Sequence, residues 1–203
     1  MSSPNIVSKP FAQSSAENKH VILKAIHPFL KDRSAVLEIA SGTGQHAVYF
    51  AEKMPHLTWQ TSDLIDSHMG ITQWIADAEL PNVLPPLELN VSDDNWPSCQ
   101  YDALFSANSF HIMAKHHVED FFKNVSQVLE KKGIVMIYGP FNYQGHFTSE
   151  SNERFDFWLK QRHHQSGIKD FEWCNQLADH AELTLLKDIE MPQNNRILIW
   201  EKK

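Results

Sequence analysis

The amino-acid sequence predicts an α/β fold: a mostly parallel sheet, covered by helices, that ends in an antiparallel strand. Three observations predict it. Short apolar runs alternate with stretches of helical period from residue 35 to residue 139, as in a parallel sheet with helices on both faces. The first run leads into Ser41-Gly42-Thr43-Gly44 and then a helix, the strand–glycine turn–helix order of nucleotide-binding α/β proteins. The last two strand-like runs are separated by Met191-Pro192-Gln193-Asn194-Asn195, a turn composition that makes them an antiparallel hairpin.

In chain order, residues 1–14 read as an irregular arm and 15–31 as a helix, from the apolar positions Val21, Ile22, Leu23, Ala25, Ile26 and Phe29. Residues 35–40 form a buried strand, 45–54 a helix and 57–62 a strand. Asp66 is expected to cap a helix reaching about residue 80. Strands follow at 85–91 and 101–108, a helix at 115–131 ended by Gly133, and a strand at 134–139. Two helices, 151–163 and 170–180, precede the hairpin strands 183–190 and 196–201. Five β/α steps and a hairpin add up to seven strands, with 196–201 antiparallel to its neighbours.

A chain of 203 residues with 42% hydrophobic content fits one domain with a sizeable core, residues 1–203, in which 1–31 are an arm and helix and a candidate lid. The formal net charge is −7, and paired basic residues occur only at Lys131-Lys132 and Lys202-Lys203. Nucleic-acid binding needs a basic face, so it is not expected. Cys99 and Cys174 form no Cys-x-x-Cys pair, and neither a disulfide framework nor a metal site is expected. Met1 to Phe11 lacks the apolar core of a signal peptide and no run is long enough to span a bilayer, which sets a cytoplasmic expectation with no membrane partner. The sequence leaves the oligomeric state open.

Two carboxylates give the glycine turn its chemistry. Glu38 lies inside an otherwise buried strand just before the turn, where a charge is costly unless a cationic or donor-rich ligand meets it. Asp63 ends the second strand, 19 residues after Gly44, where a carboxylate can accept from both hydroxyls of a ribose. A nicotinamide-dependent oxidoreductase is the competing reading, because Gly42-Thr43-Gly44-Gln45-His46-Ala47 matches G-x-G-x-x-A. Glu38 speaks against it, since its charge has the wrong sign beside a pyrophosphate. A third reading is a non-catalytic module that binds the cofactor or a partner protein.

Six stretches carry a family resemblance: Ser15-Ala16-Glu17-Asn18-Lys19, Val36 to His46, Asn90-Val91, Ile137-Tyr138-Gly139-Pro140-Phe141, Ser151 to Asp156 and Glu190 to Asn195. Together they resemble a family of small, uncharacterised methyltransferase-like proteins with bacterial and animal members, known as a domain of unknown function. The resemblance covers nearly the whole chain. It implies the Rossmann-like class I methyltransferase fold, a seven-stranded mostly parallel sheet with an antiparallel terminal strand, and S-adenosylmethionine (SAM) as cofactor. It does not supply a substrate; a small molecule is expected. This chain departs from the broader class I pattern at Ala40, which replaces the first glycine of the turn, and at Asn90, where Asp is common near the adenine. The cofactor residues expected on this basis are Asn18, Glu38, Ala40, Ser41, Gly42, Gly44, Asp63, Leu64, Asn90, Val91 and Asn108.

Methyl transfer mainly requires alignment of nucleophile, carbon and sulfur, and sometimes removal of a proton. The fourth strand runs into Ser106-Ala107-Asn108-Ser109-Phe110-His111, which makes His111 the candidate general base. Tyr138, at the end of the fifth strand, is the candidate for orienting an acceptor hydroxyl or amine, and the loop that follows it is a candidate substrate wall. His46, opening the helix after the glycine turn, is placed to approach the ligand. The pairs His116-His117 and His163-His164 read as solvated faces, since helical neighbours do not converge on one metal.

Overall fold

A computed structural model describes residues 9–203. The arm expected over 1–14 therefore lies largely outside the described residues, and its last two residues already belong to the first helix. The chain runs α1 (Gln13–Leu30), β1 (Ala35–Ile39), α2 (Gln45–Lys53), β2 (Thr58–Asp63), α3 (Ile65–Ala78), β3 (Val83–Glu88), β4 (Tyr101–Ala107), α4 (Lys115–Val128) and β5 (Leu129–Gly139). It continues through β6 (Phe141–Asn142), α5 (Glu150–Arg162), β7 (Lys169–Asp170), α6 (Phe171–His180), β8 (Leu183–Met191) and β9 (Asn195–Lys202). The main sheet has seven strands in the order β3-β2-β1-β4-β5-β9-β8. β1 to β5 pair in parallel, and β9 is inserted antiparallel to both β5 and β8. β6 and β7 form a separate parallel pair.

The near-continuous apolar runs of β1, β5 and β9 follow from burial on both faces. Successive side chains point to opposite sides of a strand. Leu37, Val135, Ile137, Leu198 and Trp200 thus enter one core with Phe121, Phe122 and Val125 of α4. Val36, Met136, Ile197 and Ile199 enter the other with Ile22 and Ile26 of α1 and Phe50 of α2. The chain order reverses between β1 and β4, and the crevice beyond the carboxyl ends of those strands is where open α/β sheets bind ligands.

Several boundaries differ from the sequence expectation. The helix expected over 115–131 stops at Val128, and Gly133 lies within β5 instead of ending α4. Leu129 is already buried and pairs with Tyr101, while Lys132 adopts φ 61 beside an irregularity of the β4–β5 register. The C-terminal end of α4 is closed by Lys202, whose Nζ donates to the carbonyls of Ser126 and Leu129, each at 2.7 Å. The strand expected at 85–91 is Val83–Glu88, an edge strand, the position in a sheet that tolerates Pro85 and Pro86. Leu89 and Val91 leave the ladder to pack in the core. No helix joins β3 to β4, so the third β/α step is a loop. Asp66 sits in the first turn of α3 rather than capping it; Leu64 is the N-cap.

Candidate functional site

The site is built where β1 turns into α2. Ala40, Gly42 and Gly44 take φ of 57°, 60° and 87°, a left-handed succession that glycine adopts freely and Ala40 adopts at a cost of about 1 kcal/mol. The turn is tied to β2: Ser41 N–H donates to the Ser62 carbonyl at 2.9 Å, and Ser62 Oγ donates to the Glu38 carbonyl at 2.6 Å. Asp63 holds it from above. One carboxylate oxygen accepts from the Gly42 N–H and the other from the Leu64 N–H, both at 2.7 Å. Each oxygen keeps further lone-pair capacity for a ligand hydroxyl.

Glu38 and Asp63 face a cavity of about 660 Å³, a size suited to a small-molecule cofactor. Ala40, Ser41, Gly42, Leu64, Asn90, Val91 and Asn108 line it too, so the structure brings most of the expected cofactor residues to one place. Gly44 stands behind the turn, where an added Cβ would press on Ile71 and Trp74 of α3. Glu38 is 2% exposed and accepts from Trp59 Nε1 at 3.2 Å. Burial pushes its carboxyl up to about 7, helped by the charge of Asp63 and opposed by the hydrogen bonds of Trp59 and Ser41.

Asn18 stands elsewhere, on the wall of a second cavity, also of about 660 Å³, that meets the first at Ser14, Asn108 and Ile112. It links the two compartments: Asn18 Oδ1 lies 2.7 Å from Nε2 of His46, which lines the first cavity, and the Asn18 side chain hydrogen-bonds Tyr138, which lines the second. Burial raises the Tyr138 phenol above its ordinary value. His111 also lines the second cavity, with its ring edge-on to Phe155. Burial, and then the charge of Lys169, bring His111 down to about 4, so the ring is neutral at physiological pH. Its Nδ1 is buried with no hydrogen-bond partner among the described residues. Asn108, at the junction of the cavities, holds φ 57° while its N–H donates to the Tyr138 carbonyl at 2.9 Å; strained backbone of this kind gathers at binding sites.

Some of the lining escaped sequence reasoning. Ala12, Ser14 and Ser15 close one side of the first cavity. Gln45 clamps that segment, accepting from Ala12 N–H at 2.6 Å and donating to its carbonyl at 3.3 Å. His117 and His163, expected on solvated faces, lie on the rim of the first cavity. Among the described residues no group of three or more His, Cys, Asp or Glu is placed to hold a metal. Phe155 and Trp158 of α5 and Glu17 of α1 line the second cavity; their amphipathic surroundings in the sequence carry no signal that separates a cavity wall from an ordinary helix face.

The family described as "Protein of unknown function (DUF938)" matches residues 9–202. Among solved structures, an O-methyltransferase family protein from Burkholderia thailandensis is similar with a TM-score of 0.77 at 14% identity, over 94% of this chain and 60% of that one. The human N-acetylserotonin methyltransferase in complex with SAM gives 0.78 at 12% identity, over 94% and 53%. A putative sarcosine dimethylglycine methyltransferase from Galdieria sulphuraria gives 0.73 at 12% identity, over 94% and 87%. This chain thus spans a little over half the length of the first two. The likeness establishes the fold, that of the Rossmann-like methyltransferases.

Proposed function

We propose that this chain, which belongs to the DUF938 family of unknown function, is a SAM-dependent methyltransferase acting on a small molecule. The observation that carries the reading is Glu38: a buried carboxylate, its charged form disfavoured by burial, facing a cavity of cofactor size beside the glycine turn. A cationic ligand relieves that cost, whereas a pyrophosphate adds to it. The donor set also fits. Asp63 presents outward lone pairs for a ribose diol, Asn90 can both donate to and accept from a purine edge, and Leu64, Leu89 and Val91 supply apolar wall.

SAM, when bound, supplies an activated methyl group on a sulfonium. The chain supplies position. Asn108 and Ile112 border both cavities, so an acceptor in the second compartment meets the cofactor across them. His111 is held unprotonated and takes a proton from an acceptor hydroxyl that turns acidic as its oxygen gains the methyl group. Tyr138, fixed by Asn18, orients that acceptor. Residues 12–15, clamped by Gln45, serve as the lid. The net charge of −7 suits a small acceptor rather than a nucleic acid, and a cytoplasmic setting suits the two free cysteines.

Titration calorimetry with SAM, S-adenosylhomocysteine and NAD tests the reading, followed by transfer of labelled methyl groups into a metabolite extract. Binding of SAM and its demethylated product, with no heat from NAD, is expected. NAD binding without SAM binding returns the chain to the oxidoreductase reading. SAM binding without any labelled product leaves a non-catalytic SAM-binding module.

A further inference from the structure

The second cavity differs from the first in its charge. Among the described residues that line it, Glu17 is the one Asp or Glu and there is no lysine or arginine, while His111 is held neutral by burial and Tyr138 keeps its proton. The cations nearest it lie behind its walls, each with a partner: Lys169, whose charge reaches His111, donates to the Met113 and Gly167 carbonyls at 2.7 and 2.8 Å. Arg154 pairs with Glu150 at 3.6 Å, and Arg196 with Asp188 at 2.8 Å and Glu190 at 3.7 Å. The Arg162 guanidinium lies 4.0 Å from the centre of the Trp158 ring, and Lys19 lies 4.7 Å from that of Tyr49. The walls are planar and apolar where they are not amide: Phe155 and Trp158 stack at 5.7 Å with their planes 21° apart.

We propose that the second cavity is the acceptor compartment and that it selects an uncharged or cationic planar ring compound, excluding acceptors that bear a carboxylate or phosphate. An anion entering it sheds water without touching a cation, since Lys169 and Arg162 stand behind His111 and Trp158, and it meets the exposed Glu17 at the rim. An uncharged ring avoids the cost of desolvating a charge and packs against Phe155 and Trp158. A cationic ring gains the Glu17 carboxylate, one oxygen of which accepts from Gln13 Nε2 at 2.8 Å while the other has no hydrogen-bond partner among the described residues. The assignment of an acceptor rests on the methyltransferase reading; the charge selectivity rests on the lining alone.

The test uses three probes of one shape: 4-methylphenol, tyramine and 4-hydroxyphenylacetate, which are uncharged, cationic and anionic at neutral pH. Their binding is followed by tryptophan fluorescence, with and without S-adenosylhomocysteine. Ligands of this size are expected to bind in the millimolar range. The uncharged and cationic probes should bind at least about tenfold more tightly than the anionic one. Glu17→Lys should reverse the order of the charged probes, and Glu17→Gln should level them. The proposal is overturned if the anionic probe binds wild type as tightly as the others, if the order survives Glu17→Lys, or if none of the three binds saturably. Charge selectivity in a protein that binds no S-adenosylhomocysteine would defeat the cofactor reading while leaving the selectivity standing.

Discussion

Replacing Glu38 by Gln should make the protein more stable and its cofactor site weaker. Burial holds the Glu38 carboxyl near 7 against an ordinary 4.5. Between those values the folded chain keeps a proton that the unfolded chain has released, so stability falls as pH rises from 4.5 to about 7 and is level above. At 1.36 kcal/mol per unit the total is about 3 kcal/mol, or roughly 6–12 °C in Tm for a chain of this size. Gln keeps the shape and an acceptor for Trp59 Nε1 but never ionises. Urea denaturation of both proteins at about pH 5 and about pH 8 reads the difference. The variant should gain little at the lower pH and about 3 kcal/mol at the higher. Calorimetry should show SAM binding at least about tenfold weaker in the variant, with no heat from NAD in either protein. A stability difference that does not change with pH, or a wild type more stable than Glu38→Gln at the higher pH, refutes the reasoning.

Asp63→Ala should weaken SAM binding about ten- to a thousandfold, since each charge-assisted bond is worth about 1.5–3 kcal/mol. The fold should survive, because the Gly42 and Leu64 N–H groups it releases lie at the surface and turn to water. Adenosine and 2′-deoxyadenosine should bind the variant equally and wild type unequally; equal binding to wild type rejects the ribose role. Gly44→Ala should cost roughly 1–3 kcal/mol, since φ is +87° and the new Cβ would lie 3.2 Å from Ile71 Cα. Gly42→Ala should cost only about 1 kcal/mol, with nothing within 4 Å of its Cβ; thermal melts that rank the two the other way contradict the packing of the turn on α3. His46 and His111 are held near 4 against 6.5, so the unfolded chain takes up protons first and stability drops as pH falls through that window, by about 3 kcal/mol per ring. Glu38 offsets part of that loss above pH 4.5, and an acid limb left unchanged by His46→Gln with His111→Gln would show that these rings do not set it.

Fold class was legible because burial on both faces leaves a plain mark: Val36 and Leu37 serve opposite cores, so β1 is apolar except at Glu38. The hairpin was legible from its turn, where Gln193 and Asn194 both adopt left-handed backbone. The end of α4 was not. Val125, Val128 and Leu129 continue a helical apolar spacing, and only the pairing of Leu129 with Tyr101 turns that residue into strand. Tertiary pairing decided that case, and a local pattern does not contain it.

The cofactor cavity and its neighbour were legible to different degrees for a related reason. Glu38, the glycine turn and Asp63 lie within 26 consecutive residues, and a charge inside a buried strand is conspicuous against its neighbours. The second cavity is assembled from five separate parts: α1, the ends of β4 and β5, α5 and the hairpin turn. Its walls are closed by contacts of short reach. Asn152 Nδ2 donates to the Asn194 carbonyl at 3.1 Å, and Asn194 Nδ2 donates to Ser151 Oγ at 3.1 Å, which joins the first turn of α5 to a hairpin 42 residues further along. Its distinguishing property is a shortage of cations in one place, although the chain carries 18 Lys and Arg. A local shortage is invisible until the fold decides which residues share a wall. The same logic explains why His111 could be nominated and not ranked: its position after β4 was readable, but its neutrality depends on burial against residues from α5 and β7. The selectivity proposed for the cavity is thus a property of assembly: Glu17 lines it, Arg154 and Arg196 pair with Glu150, Asp188 and Glu190, and Arg162 lies against the ring of Trp158.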